Sequence, residues 1–557
     1  MRNSFLKKNE YLTVGLIGCL LGILCFVLIY GVKILNFTYD GWLLSDGMDL
    51  KQHYVGWCHY RNSDWSFPIG LIDSLSVPFN MSVVYTDSIP LFAVFFKVFR
   101  GILPTHFQYF GLFGILCFAL QGALSAILIR LFTNKITVCI VGSLFFILSF
   151  PMLQRMYYHT ALAAQWIIIL ALIIWFSHDL NKSVIRSSVI WGLMGLLCIS
   201  IHSYYVFMTG IILLLSVIDN IIVCKKNSQK ISIINNLMPV LSFILIAFTN
   251  LFILGGFYGE SSVSGGGFGM FNANLTAFIN PLDHGKLLPE IHLSNGFQYE
   301  GFAYLGAGLL FVVLVMLICF VLYIVKNKTN VIDLMKVHHR KSLVFVGIIF
   351  AFLIAVFPNF DFGEQELLHI PLPKILINIL GVCRTNGRFV WIAMYLIILS
   401  VVVFIANNYE KNAFKIILLF AIVLNLIDMS PMIKKRQLFF SDIHTHNSVW
   451  TQFEKMRLFD GKDKFVFLYN DGDIMMDTAF YGYLHDMNQN IFYYARPIDE
   501  AENTNIENIK SEIISGKLED SAIYILRDED ITAELEEAFK DNGAIEYYFD
   551  NHKVYAK

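Results

Sequence analysis

Two carboxylates, an imidazole, an amide and two aromatic rings lie within thirteen residues, Ser45-Asp46-Gly47-Met48-Asp49-Leu50-Lys51-Gln52-His53-Tyr54-Val55-Gly56-Trp57. No other hydrophilic stretch before the C-terminal region is as rich in groups capable of acid–base work. Asp49 is followed closely by Gln52, His53, Trp57, Arg61 and Trp65. A carboxylate walled by aromatics at the edge of an apolar phase can act as a general base on a sugar hydroxyl. The plain alternative is a solvated loop carboxylate, and Asp46 competes with Asp49 for the role. Asp87, in Tyr85-Thr86-Asp87-Ser88, is a further carboxylate of the same loop; its plain alternative is the N-cap of a helix starting at Ile89. Were Asp49 and Asp87 to converge on a cation, oxygen ligands would favour Mg2+ or Mn2+.

The complementary cations are few. Arg155 stands in the tight turn Gln154-Arg155-Met156-Tyr157-Tyr158-His159, and His202 interrupts an apolar run. Arg384 and Arg388, in Cys383-Arg384-Thr385-Asn386-Gly387-Arg388, would share a face if that segment were helical. A guanidinium fork suits phosphate, against the alternative of a side chain snorkelling to a membrane surface. For His202 a satisfied interhelical hydrogen bond is the competing expectation.

The elements that must position these groups are apolar. Of 557 residues, 56% are hydrophobic and 15% charged, where soluble domains average about 45–50% and 25%. The fold class expected is a polytopic α-helical membrane protein. Runs of the length needed to span a bilayer fall near 11–35, 107–132, 136–151, 160–177, 189–201, 204–223, 235–256, 302–325, 343–358, 389–406 and 416–430, about eleven crossings. Arg2, Lys7 and Lys8 precede the first, and Lys/Arg recur in every alternate connection, which places the N-terminus inside and loop 36–106 outside. Lys434-Lys435-Arg436, just beyond the last run, dissents. Residues 89–103, apolar but broken by Lys97 and Arg100, suit an interfacial segment. The glycine-rich stretch Ser264-Gly265-Gly266-Gly267-Phe268-Gly269 lacks a P-loop ending and is either a mobile loop or a close approach to a ligand.

Residues 1–430 read as the membrane domain and 431–557 as an outer region holding a small soluble α/β domain. In it, 464–469 and 522–526 read as strands, 506–518 and 531–539 as helices, and 544–556 as a hairpin turning at Asp550-Asn551. The nine cysteines sit mostly in apolar runs with no metal-ligand spacing, so neither a disulfide framework nor a cysteine zinc site is expected. A net charge of -2 argues against a nucleic-acid partner.

A basic N-terminus, one span and a large outer loop with an early Asp resemble the GT-C superfamily of polytopic glycosyltransferases. Within it the chain is similar to a bacterial membrane-protein family assigned to that fold. The resemblance rests on Asp49 through Trp57 with Arg61 and Trp65-Ser66-Phe67-Pro68-Ile69-Gly70, on Thr86-Asp87-Ser88-Ile89-Pro90-Leu91 and on Phe107-Gln108-Tyr109-Phe110-Gly111-Leu112. It continues through Asn274-Leu275, Asn280-Pro281, Glu300-Gly301-Phe302-Ala303-Tyr304-Leu305-Gly306 and Arg384 through Arg388. The resemblance implies a polyprenyl-phosphate sugar donor, a glycan or lipid-linked acceptor, an outer-loop Asp as base at Asp49, and a metal ligand or donor contact at Asp87. Many relatives have Gly directly before the Asp; Met48 stands there here, so Asp46 stays a candidate. Donor or acceptor contacts are expected from Gln52, His53, Trp57, Arg61, Arg155, His159, His202, Glu300, Arg384 and Arg388. The expected protein is an inverting glycosyltransferase of a bacterial plasma membrane, its site and C-terminal domain outside the cytoplasm. A transporter or flippase of lipid-linked saccharide is the alternative, but no internal repeat is visible; a glycan polymerase is a third reading.

Overall fold

A computed structural model describes every residue except 1, 46–47, 178–179, 181–182, 229–230, 260–266, 329–333, 335–336, 409, 447, 471–473, 494–498 and 550. Asp46, half of the glycine-rich stretch and the hairpin residue Asp550 therefore lie outside the described residues.

Among the described residues, eight helices are long and apolar enough to cross a membrane: Asn9–Tyr30, Phe110–Arg130, Val184–Ile201, Tyr204–Lys226, Ile233–Ile253, Ala307–Asn327, His339–Val356 and Asn386–Asn408. A ninth emerges if Asn412–Asp428 and Ser430–Ser441 are taken as one span bent by 52°. The bend falls at Pro431, which donates no N–H and crowds the preceding turn; beyond it Lys434, Lys435 and Arg436 end the apolar character. Two expected spans are shorter helices, Ile136–Ile147 and Thr160–Phe176. The runs on either side of His202 are separate helices, not one.

The first helix packs on Phe110–Arg130 with backbones in contact. A Cβ on Gly18 would collide with the Gly122 carbonyl, and one on Gly22 with the Phe118 carbonyl, the small-residue approach that apolar helices use. The outward faces carry Leu314, Leu317, Val321, Ile244, Leu245, Ile416 and Leu419, all exposed.

Loop 36–106 is structured. Its centre is a helix, Met48–Asn62, and after two short strands comes Pro90–Lys97. The N-cap of the latter is Ile89 with no side-chain cap, so Asp87 does not play that role. Lys97 is buried against the rings of Tyr60 and Trp65, while Phe95, Val98, Phe99 and Ile102 are exposed.

The C-terminal sheet has five strands in the order Asn488–Gln489, Lys464–Phe467, Ala522–Arg527, His552–Ala556, Ile545–Phe549. The first three are parallel and the hairpin antiparallel. The expected strands, hairpin and helices are present, the helices as Asp499–Ile514 and Ala533–Asp541. Alternation sends Phe465, Phe467, Ile523, Ile525 and Val554 into the main core, and Val466, Leu468, Tyr524 and Leu526 onto Leu535 and Phe539 in a separate small core. The sheet is thus joined to the helical body by one face. A helix not foreseen, Met475–His485, lies against Met48–Asn62. It contributes the Ala479 carbonyl to His59 Nε2 at 2.7 Å and Asp477 to Lys51 at 2.6 Å.

Candidate active site

The helix Met48–Asn62 puts Asp49, Gln52, His53 and Gly56 on one face, by the i, i+3, i+4, i+7 spacing. That face meets the 85–88 turn. A Cβ on Gly56 would collide with Thr86 and Ser88, and Ser88 donates to the His53 carbonyl at 2.7 Å. Asp87 has φ of 52°, a left-handed conformation a non-glycine residue rarely adopts. It aims the carboxylate at two histidines: His202 Nε2 is 3.3 Å and His53 Nε2 3.9 Å away. His202 Nδ1 accepts the Tyr204 N–H at 3.2 Å, and its Nε2 faces Asp87 across 3.3 Å. The side-chain hydrogen bond that His202 makes is the local one to Tyr204 at the start of the next helix.

Asp49 is in the first helical turn, its side chain 28% exposed, with His159 Nε2 at 3.2 Å. Behind His159 lies a buried ion cluster. Glu300 Oε2 accepts from Arg155 Nη2 at 2.7 Å and from Arg388 Nε at 2.8 Å. The rings of Tyr299 and Trp391 face the Arg155 guanidinium, and Tyr204 that of Arg388. Glu300 is carried by the turn Gly296–Gly301, which a buried amide network holds: Gln298 donates to Asp361 at 2.6 Å and Asn274 to Gln298 at 2.9 Å. Beyond the glycine-rich stretch, these bonds tie Asn274 and Gln298 of the same connection to each other and to Asp361.

The charges act on one another. Burial pushes Asp49 up to about 6, with Glu300 adding to the rise and Arg155 and Arg388 opposing it. Burial likewise raises Asp87 to about 7, against the pull of Arg388. Burial alone would raise Glu300 too, but Arg155 and Arg388 outweigh it and hold Glu300 well below the usual carboxylate range. Burial drives His53 down to about 3.

The structure therefore brings together Asp49, His53, Asp87, Arg155, His159, His202, Glu300 and Arg388. Gln52 is beside them, its amide spent on the Tyr493 carbonyl at 3.2 Å. Trp57 and Arg61 serve the backbone. Trp57 donates to the Phe107 carbonyl at 3.0 Å, and Arg61 to those of Pro104 and Leu103 at 2.7 and 3.0 Å. Arg384 and Arg388 do not share a helical face. Separate tight turns, Gly381–Cys383 and Asn386–Phe389, send Arg388 to Glu300 and leave Arg384 beside the Phe271 ring, with no ion pair among the described residues. Tyr158, Tyr299, Tyr204 and Trp391 were not singled out from the sequence; the first two adjoin His159 and Glu300, a neighbourhood that could have flagged them.

A cavity of about 770 Å3 opens beside the cluster, lined by Tyr158, Tyr299, His284, Glu290, Lys435 and Arg436 among others. Its two tyrosines each precede a residue of the charged centre.

No curated protein matches the chain. A family model described as a domain of unknown function (DUF6311) matches residues 19–430, and one described as the DUF6311 C-terminal domain matches 455–556. The residues of the cluster all fall within the first match, and the chain belongs to the DUF6311 family.

Proposed function

We propose that this chain is a membrane-embedded glycosyltransferase that moves a sugar from a polyprenyl-phosphate donor to a glycan or lipid-linked acceptor, with inversion. The observation that carries the reading is the convergence of Asp49 and His159 with the buried Arg155–Glu300–Arg388 cluster at one end of the apolar helices. Asp49 is the general base. It is held by His159 yet partly exposed, so it can reach an acceptor hydroxyl whose oxygen attacks the anomeric carbon. Arg384, beside the Phe271 ring and claimed by no carboxylate among the described residues, would neutralise the departing phosphate. The cavity beside Tyr158 and Tyr299 offers rings and polar groups to the acceptor's sugar units.

The same contacts support a reading of sidedness. Adding the shorter helices Ile136–Ile147 and Thr160–Phe176 to the nine gives eleven crossings. Asp49, Asp87, Arg155, His159, His202, Glu300 and Arg384 then all lie in connections on one side, opposite the basic N-terminus. Without those two helices as crossings, Arg155 and His159 would lie on the opposite side from Asp49, which His159 touches. This favours a site and C-terminal domain outside the cytoplasm of a bacterial plasma membrane.

The test is transfer by membranes supplied with a panel of radiolabelled polyprenyl-phosphate sugars. Asp49→Asn should preserve insertion and donor binding and lower turnover at least ~10²-fold, the scale of acid–base catalysis. No transfer from any donor, or full activity in the variant, would remove Asp49 from this role. A flippase would instead move intact lipid-linked saccharide without bond cleavage.

A further inference from the structure

His53 is fully buried, and neither Nδ1 nor Nε2 has a hydrogen-bond partner among the described residues. A buried imbalance of this kind calls for a ligand. One ligand atom from each of His53, Asp87 and His159 lies within 4.8 Å of the other two. We propose that His53, Asp87 and His159 form a binding site for one divalent transition-metal ion of the zinc type.

The donor chemistry selects the class. Two imidazole nitrogens and one carboxylate oxygen suit zinc and its first-row neighbours, whereas Mg2+ prefers oxygen throughout. Three protein ligands leave a position for water or an oxygen of a bound anion. Bonds of about 2.0–2.2 Å would bring the ligand atoms roughly 3–3.5 Å apart, so the side chains close by about an ångström when the ion enters. The surroundings are already arranged for this. His202 Nε2 lies 3.3 Å from Asp87 and Asp49 3.2 Å from His159; outer partners so placed can orient metal ligands. Glu300 offsets one of the two charges of Arg155 and Arg388, which lessens their repulsion of a dication. Cysteine spacing could not reveal the site, because its ligands are histidines and an aspartate from three separate segments.

The proposal stands whether or not the protein transfers sugar, and its test reads metal directly. Purified full-length protein, stripped with a chelator and reloaded with Zn2+, should hold one equivalent per chain by elemental analysis. His53→Gln and Asp87→Asn should each weaken Zn2+ binding at least about 10-fold, while His338→Gln, on an exposed helix end, should not. Zinc-edge X-ray absorption of the wild-type protein, which requires no variant to fold, should show outer-shell scattering from imidazole. The proposal is overturned by wild-type protein that stays metal-free after reloading, by His53→Gln and Asp87→Asn binding as tightly as wild type, or by a shell of oxygens without imidazole. Zinc bound at these residues without sugar transfer would refute the transferase and leave the site.

Discussion

Glu300→Gln separates what the buried cluster does for the fold from what it does for chemistry. The wild-type carboxylate accepts from Arg155 at 2.7 Å and Arg388 at 2.8 Å, and the two side chains are 0% and 8% exposed. A bond to an ionised partner is worth ~1.5–3 kcal/mol and a neutral one ~0.5–1.5. Gln keeps an oxygen for the two guanidinium donors but gives up the acceptor's charge, so each bond is weakened. Two guanidinium charges are then buried without a counter-charge, which brings the loss toward the ~3–5 kcal/mol typical of a broken buried pair. Glu300→Gln should therefore melt several degrees below wild type in detergent. The variant Arg155→Met/Glu300→Leu/Arg388→Met removes all three charges at similar volume, and such exchanges are often neutral for stability. It should recover most of the melting temperature while transferring no sugar. Wild-type melting in Glu300→Gln would refute the ion cluster as described. Full transfer by the triple variant would show that these charges only build the fold.

Three further outcomes are expected. Arg384→Ala should raise the donor concentration needed for half-maximal transfer by about 10- to 100-fold, one lost charge-assisted hydrogen bond of ~1.5–3 kcal/mol, with unchanged melting; unaltered donor dependence would make Arg384 an interface anchor. For Asp477, burial opposes ionisation, but His446 and Lys51 outweigh it and hold the carboxyl below its usual value. Its stabilisation is present above the unfolded-state value of about 3.9 and lost as pH falls through the folded value, so Asp477→Asn should cost about 1 kcal/mol or less at neutral pH, and a gap undiminished at about pH 3 would refute the pairing. A reporter active only in the cytoplasm, fused after Lys557, should be silent, and a strong signal would overturn the eleven-crossing topology.

The site's polar residues were legible because ionisable groups at the ends of apolar runs are costly and hence rare, so Asp49, Asp87, Arg155, His202 and Arg388 stand out by position alone. Their partners were not. The helix Met48–Asn62 reads as loop because its polar stripe faces protein rather than water, and Gly56 is there to admit Thr86 and Ser88. Nor could spacing show that Arg155 and Arg388, 233 positions apart, meet on one carboxylate, since that meeting depends on where the helices between them stand. Both arginines were expected to face a phosphate; each gives a nitrogen to Glu300, while Arg155 Nε and Nη1 keep no hydrogen-bond partner among the described residues.

The same reasoning divides the acids. Glu300 is fixed as a carboxylate by two cations and cannot take a proton near neutral pH. Asp87 lies between His53 and His202, its side chain 18% exposed. Asp49 alone of the three combines an imidazole partner with a side chain 28% open. A base must reach its substrate, and the greater exposure is what favours Asp49 over Asp87 for the proposed role.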